Sequence, residues 1–301
     1  MRKIAQRIVP LCVKVFLSHI WAKYFKPLPV YCRITSESGL NRETRNVEVI
    51  VSLTSYPARI STVHMTVLTL LNQKIKPDKI ILWLAKEQFP SGMNALPKQL
   101  LALMDVGLTI KWTHDIRSYK KLIPSLKLCP EAIVITCDDD TFYPPYWLEM
   151  LMASYAKYPD CVHCHRGHTI TFNENGNVMP FLKWDFESTN TKPSVRNFQT
   201  GIGGVLYPPH CLDAEVFNEQ TFMELARTCD DHWFWAMAVL KGTKIKVVND
   251  GIRKCLVNYK ASTKYSLCKV NTGADMQSND DRVFAVLCEK YNLLEKVKND
   301  T

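Results

Sequence analysis

Apolar positions along the chain fall into short β-branched runs that alternate with stretches of helical spacing. Val47–Thr54 (Val-Glu-Val-Ile-Val-Ser-Leu-Thr) reads as a first core strand, broken by Ser55-Tyr56-Pro57-Ala58-Arg59, after which Val63–Leu71 resumes at helical spacing. Lys79–Leu84 predicts a second strand, Leu96–Met104 a helix and Leu108–Trp112 a third, short strand. Asp115–Leu126 is a cationic turn feeding a short helix, and Ile133–Thr136 is a fourth strand. Tyr146–Tyr158 has helical spacing, Cys161–Phe172 looks like another strand, and Asn173–Asn177 forms a tight turn beyond it. Residues 181–200 are irregular and polar, as loops that shape a site often are. A helix opens near Cys229 and runs through Leu240, Lys244–Val248 is a last strand, 254–281 is irregular, and Arg282–Val297 closes the chain as an amphipathic helix. This alternation predicts an α/β fold.

Chemistry concentrates where predicted strands end. Ile133–Thr136 runs into Cys137 and then three carboxylates, Asp138, Asp139 and Asp140, before Pro144-Pro145 stops the strand. Adjacent carboxylates repel unless a counter-charge is present, and a divalent cation with a hard-oxygen preference supplies one; a solvated acidic turn is the plainer alternative. After the first strand, which ends at Thr54, Tyr56 offers a ring to a base and Arg59 a fork to a diphosphate. The chain holds no Gly-x-Gly-x-x-Gly and no Walker A pattern, which excludes both dinucleotide and P-loop signatures. Arg117, Lys120 and Lys121 in the cationic turn would meet diphosphate oxygens if their strand neighbours the acidic one. Gly201, Gly203 and Gly204 permit close approach of a ligand to the backbone. Asp230-Asp231-His232 opens the late helix beside Trp233, Phe234 and Trp235. One of these aspartates would serve as a helix N-cap, or the pair would supply a base that contacts a sugar. Trp184, Trp233 and Trp235 are candidates to stack on sugar faces, with burial in the core as the alternative.

Composition narrows the partner. The 301 residues are 47% hydrophobic and 22% charged, with a net charge of +9, so an anionic partner is expected. Nothing resembles a helix-turn-helix, a zinc finger or an aromatic RNA-binding signature, so nucleic acid is not that partner. Eleven scattered cysteines imply free thiols in a reducing cytoplasm. Cys161-Val162-His163-Cys164-His165 lacks a second ligand pair for zinc and reads better as a strand with packed cysteines.

The first 26 residues carry Arg2, Lys3, Arg7, Lys14, Lys23 and Lys26, no acid, and an apolar set that includes Trp21. Lys14 and His19 break the run needed to span a bilayer, and no small-residue cleavage site follows. The segment is a helix lying on an anionic membrane surface or an amphipathic helix packed on the domain. The expected organisation is a basic segment over 1–35, a linker over 36–46, and one domain over 47–301. That domain has a donor half (47–145), an acceptor half (146–252) and a C-terminal helical region (253–301).

The ordered set of an acidic triplet after the fourth strand, a glycine-rich strand and a late Asp pair resembles metal-dependent glycosyltransferases of the GT-A fold, over residues 47–252. Asp138–Asp140 matches their Asp-x-Asp motif, and Asp-Asp-Asp-Thr-Phe is also similar to the fringe-like branch; a family 2-like enzyme of bacterial surface-glycan type is the other comparison. The resemblance implies a Rossmann-like mixed sheet flanked by helices in a single large domain. It further implies a nucleotide-sugar donor, a glycan or lipid-linked acceptor, and Mn²⁺ or Mg²⁺ held by Asp140 and Asp138. On the donor side it implies Thr54, Tyr56, Arg59, Arg117, Lys120, Lys121, Asp138 and Asp139. On the catalytic side it implies Asp231 as base, with Asp230 and His232 beside it. Two departures touch the nucleotide contacts: the second strand runs into Ala85-Lys86-Glu87 without the usual aspartate, and the late pair is Asp-Asp where Glu-Asp is commoner. The set also fits a location on the inner face of a membrane. A metal-dependent phosphohydrolase or nucleotidyltransferase, and a non-catalytic membrane-surface protein, remain as readings from other classes.

Overall fold

The computed structural model describes residues 39–248, 257–258 and 278–300. The basic segment 1–35 and most of the 254–281 stretch lie outside the described residues. The central sheet grows from runs whose residues are buried on both faces, the pattern of parallel strands covered by helices. In chain order its first elements are β1 (Val49–Thr54), α1 (Val63–Leu71), β2 (Lys79–Ala85), the short α2 (Lys98–Leu101), β3 (Leu108–Thr113), α3 (Ile123–Leu128) and β4 (Ile133–Thr136). Next come β5 (Thr141–Phe142), α4 (Trp147–Tyr155), β6 (Val162–Cys164), β7 (Gly167–Thr169), β8 (Asn197–Gln199) and β9 (Val205–Tyr207). The chain continues with α5 (Glu219–Leu225), α6 (Asp230–Lys241), β10 (Ile245–Val247), β11 (Val257–Asn258), α7 (Asn279–Lys290) and α8 (Leu294–Asn299).

Seven strands form the main sheet in the order β10-β6-β9-β4-β1-β2-β3. All neighbouring pairs are parallel except those made by β9, which runs antiparallel to both β4 and β6. The expected α/β mixed sheet flanked by helices is therefore present. Alternate residues of the strands face different helices. Val49, Val51 and Leu53 pack with Val63, Val67 and Leu70 of α1 and with Leu148 and Leu151 of α4. Val134, Val205 and Tyr207 pack with Phe234 and Ala238 of α6 and with Val283 and Leu287 of α7.

Parallel pairing fixes where the chemistry gathers. Ser52 is in register with Thr136, so the turn after β1 and the acidic turn after β4 leave the same carboxyl edge. Thr136 is also in register with Val205 of antiparallel β9, which brings the glycines before β9 to that edge. Such edges are where open α/β sheets bind ligands.

Several elements differ from the sequence expectation. The 161–172 strand splits into β6 and β7, and β7 leaves the main sheet to pair with β8. The 96–104 helix contracts to α2 followed by a tight 3₁₀ turn over Ala102–Val106. The closing helix starts earlier, at Asn279, where the Ser278 hydroxyl accepts from the Asp281 N–H as an N-cap. It also stops at Tyr291, with Asn292 at φ 53° before α8. Of the expected linker, Gly39 and Asn41 donate backbone N–H bonds to Val106 and Pro77. No helix among the described residues is long and apolar enough to cross a membrane.

His163 illustrates the cost of burying a titratable group in this sheet. Its ring nitrogens lie 2.9 Å from Ser154 Oγ and 3.0 Å from the Tyr158 carbonyl. Burial first, and then Lys246 on the adjacent β10, push it down to about 4, against the Tyr158 carbonyl, which acts the other way. Its folded value lies below its unfolded value, so its contribution is complete above the unfolded pKa and is lost as pH falls toward the folded one. Between pH 7 and pH 5 the wild type should lose about 2 kcal/mol more stability than His163→Asn. Urea unfolding of both proteins at the two pH values measures this difference.

Candidate active site

The acidic turn is held from both sides. Tyr143 Oη accepts the Asp138 N–H at 2.8 Å, and the Thr66 hydroxyl donates to the Asp139 carbonyl at 3.0 Å. The Tyr143 ring packs 4.6 Å from the Trp147 ring, whose indole N–H donates to the Gly203 carbonyl at 2.6 Å. Gly204 adopts φ 94°, and a Cβ there would lie 2.5 Å from the Trp147 ring. Tyr143 and Trp147 thus couple the acidic turn to the glycine turn, a link that short-range sequence pattern gave no means of seeing.

Within the triplet the three carboxylates have separate surroundings. Asp139 is buried, accepting from Ser55 Oγ at 2.6 Å and Arg59 Nη1 at 2.8 Å. Arg59 Nη1 also lies 3.0 Å from Asp140 Oδ2. The Arg59 fork, expected to face a diphosphate, is thus engaged by the triplet itself. Asp138 is the most open of the three, and its Oδ1 lies 3.6 Å from Lys121 Nζ. Burial, together with Asp140, Asp230 and Asp139, pushes Asp138 up to about 6 despite Lys121.

Lys121 is the hinge between the two acidic motifs. Its Nζ lies 2.9 Å from Asp230 Oδ2, while Ser118 Oγ donates to Asp230 Oδ1 at 2.9 Å. Burial opposes its charge, but Asp230, Asp138 and Asp231 together raise its pKa well above the ordinary lysine value. Neither Asp230 nor Asp231 caps α6; Cys229 occupies the N-cap, and both carboxylates sit in the first turn. There they meet the positive end of the helix dipole. Asp231 Oδ2 accepts the Gly201 N–H at 2.9 Å. Burial and then Asp230 raise the Asp231 pKa well above the ordinary carboxylate range, with Asp138 adding to the effect and Lys121 and the Gly201 N–H opposing it.

Three of these groups converge on one backbone position. A Cβ on Gly201 would lie 2.7 Å from Lys121 Nζ, 3.1 Å from Asp231 Oδ1 and 3.6 Å from Asp138 Oδ1. The missing side chain leaves a point from which a buried ammonium, a candidate base and an open carboxylate are all within reach. Gly201→Ala should shift Lys121 or Asp231 and lower activity about tenfold or more, with stability reduced by about 1–3 kcal/mol of overpacking. A kinetic assay paired with thermal unfolding separates the two effects.

Other expected residues lie elsewhere. Lys120 is buried against Asp115, and its pKa is lowered mainly by that burial. Arg117 is exposed at φ 54°, its N–H bonded to Asp115 Oδ1. Thr54 Oγ1 donates to the Trp83 carbonyl at 2.9 Å. Tyr56 is partly exposed, with the Arg59 guanidinium 5.6 Å from its ring centroid. The structure does not bring His232 to the cluster: its ring packs 4.7 Å from Phe198 and 5.6 Å from Phe181, and burial pushes its pKa down to about 3. Trp184, Trp233 and Trp235 take the alternative of burial in the core, and their indole N–H groups donate to the Met179, Val216 and Val195 carbonyls.

The donor set suits a hard divalent ion. Among the described residues, Asp138, Asp139, Asp140, Asp230 and Asp231 outnumber the cations that form ion pairs with them, Arg59 and Lys121. Asp138 has its pKa raised first by burial and then by Asp140, Asp230 and Asp139, with Lys121 opposing. A hard cation that keeps its waters and binds substrate phosphates needs only one or two carboxylates from the protein.

The sequence matches no family model and no curated protein. Among solved structures, the chain is similar to S. aureus TarS 1-349, with 16% identity, 68% of this chain and 58% of that chain covered, and a TM-score of 0.42. It is also similar to the mannosyltransferase PcManGT from Pyrobaculum calidifontis in complex with GDP-Man and Mn²⁺, with 14% identity, 79% and 62% covered, and a TM-score of 0.41. A third likeness is to the inositol-1-phosphate CTP transferase from T. maritima, with 12% identity, 84% and 96% covered, and a TM-score of 0.40. The chain spans less than two thirds of the length of the first two. Likeness at this level assigns neither activity nor ligand.

Proposed function

We propose that the chain is a metal-dependent glycosyltransferase of GT-A type. It moves a sugar from a nucleoside-diphosphate donor, UDP-linked by first choice, to a hydroxyl of a glycan or lipid-linked saccharide. The observation that carries this reading is the convergence of Lys121, Asp138 and Asp231 on the side-chain-free position of Gly201. The donor diphosphate lies on the Asp138–Asp140 side, with Tyr56 beside the base. Asp138 and Asp140 would hold Mn²⁺ or Mg²⁺, and such an ion, when bound, neutralises charge on the leaving nucleoside diphosphate. Lys121 supplies a fixed positive charge between donor and acceptor sides at no cost of reorganisation. Asp231 takes the proton from the acceptor hydroxyl as its oxygen attacks the anomeric carbon from the face opposite the leaving group, which inverts that centre. A carboxylate with a raised pKa is a better base for this step than an ordinary one. Arg59 and Ser55 position the triplet through Asp139, and Asp230 positions Lys121. Arg117, Lys120 and His232 carry no step.

Thermal unfolding with a panel of nucleoside diphosphates and their sugars, with and without Mn²⁺, tests this reading. Ligand at about 100 times its Kd should add about 2.7 kcal/mol. The gain should need the divalent ion and should fall away in Asp140→Asn. Equal stabilisation without metal, or none with any donor, would overturn the proposal.

A further inference from the structure

A second cluster lies apart from the Asp138–Asp140 turn, where α7 meets the start of α6. Cys229, His232 and Asp280 are 3%, 3% and 6% exposed. One ligand atom from each lies within 4.8 Å of the other two. Cys229 Sγ is 3.8 Å from Asp280 Oδ1, and His232 Nδ1 is 3.8 Å from the same oxygen. That distance is too long for an N···O hydrogen bond, and among the described residues the buried His232 Nε2 has no hydrogen-bond partner. An imidazole this deeply buried ordinarily bonds through at least one nitrogen. The Ser278 cap on Asp281, which in turn accepts the Phe181 N–H at 2.6 Å, fixes the first turn of α7 and hence Asp280.

We propose that Cys229, His232 and Asp280 bind a borderline-soft divalent metal of the zinc class, separate from the hard ion of the carboxylate turn. Tetrahedral zinc with its usual bond lengths sets sulfur–oxygen and nitrogen–oxygen separations of about 3.4–3.6 Å, so the observed spacing closes on an ion by small side-chain shifts. A thiolate, an imidazole and a carboxylate form a donor set that favours zinc over magnesium or manganese. Burial keeps the imidazole in its neutral, ligating form. On binding, the Cys229 thiol gives its proton to solvent and the sulfur lone pair goes to the metal. The ion would tie α7 to the turn that carries Asp230 and Asp231, so that its role is positional, not catalytic.

Cobalt(II), titrated into the full-length metal-stripped protein, is the probe. The expected result is a sulfur-to-cobalt charge-transfer band in the near ultraviolet together with the intense visible bands of tetrahedral cobalt, saturating at one equivalent. Zinc should bleach both and raise the thermal midpoint. Cys229→Ser should lose the charge-transfer band, while Cys137→Ala and Asp140→Asn should keep it. Absence of the band in the wild type overturns the proposal, whatever the variants do. So does a wild-type band that survives in a folded Cys229→Ser protein. If Cys229→Ser does not fold, Asp280→Asn replaces it: weakened cobalt affinity supports the site, and unchanged affinity and spectrum overturn it.

Discussion

Asp231→Asn should reduce sugar transfer by about 10²–10⁴-fold, the usual worth of a positioned general base. The substitution keeps the shape of the side chain, and its amide oxygen still accepts the Gly201 N–H that Asp231 accepts at 2.9 Å. The fold should therefore survive, and the loss should fall on kcat, with the donor KM nearly unchanged. That split is informative because Asp231 contacts the Gly201 N–H, whereas the Arg59 contacts hold Asp139 and Asp140. Steady-state kinetics with a saturating donor measures it. A variant with wild-type kcat would remove Asp231 from the chemistry, and a matched rise in donor KM would move it to the donor side.

The second large effect concerns Lys121, whose ammonium lies buried between Asp138 and Asp230. Lys121→Met retains length and apolar volume but leaves buried carboxylates without their shared counter-charge. Removing one partner of a buried pair costs about 3–5 kcal/mol, most of it from the uncompensated charge left behind. Adding Asp230→Asn should restore a large part of the loss, because the neutral amide no longer needs the ammonium and can still accept from Ser118. Urea unfolding of the two single variants and the double variant measures the coupling, expected at about 1–3 kcal/mol. Additive effects would mean that Lys121 is not the counter-ion of Asp230.

What the sequence revealed follows from how local each signal is. Runs such as Val49–Thr54 and Ile133–Thr136 announce strands because they are short, rich in β-branched residues and bounded by polar turns, although periodicity alone does not separate such a run from a buried helix. The same reasoning placed the acidic triplet at a strand end without reference to any partner. Three features were illegible because they depend on distant contacts or on the direction in which a turn or helix sends adjacent side chains. The Ser55 and Arg59 contacts to Asp139 span 84 and 80 positions, so the fork looked available to a ligand. Lys120 and Lys121 are adjacent and chemically alike, yet the 3₁₀ turn over Arg117–Lys121 sends one to Asp115 and the other to Asp230. Asp231 and His232 are likewise neighbours on α6, but successive helical residues point about 100° apart. One faces Gly201 while the other enters the aromatic core. The tryptophans beside them followed the ordinary preference of large rings for burial.

On the proposed function, the edge shared by β1, β4 and β9 cleaves a nucleotide sugar between its sugar and its diphosphate. Phosphorus NMR of donor turnover with Mn²⁺ tests it most directly, with water or an added saccharide as acceptor. Nucleoside diphosphate is expected as the sole new phosphorus species, absent in Asp231→Asn. Appearance of nucleoside monophosphate with sugar phosphate, or of pyrophosphate from a nucleoside triphosphate, would place the cleavage within the phosphate chain and contradict it.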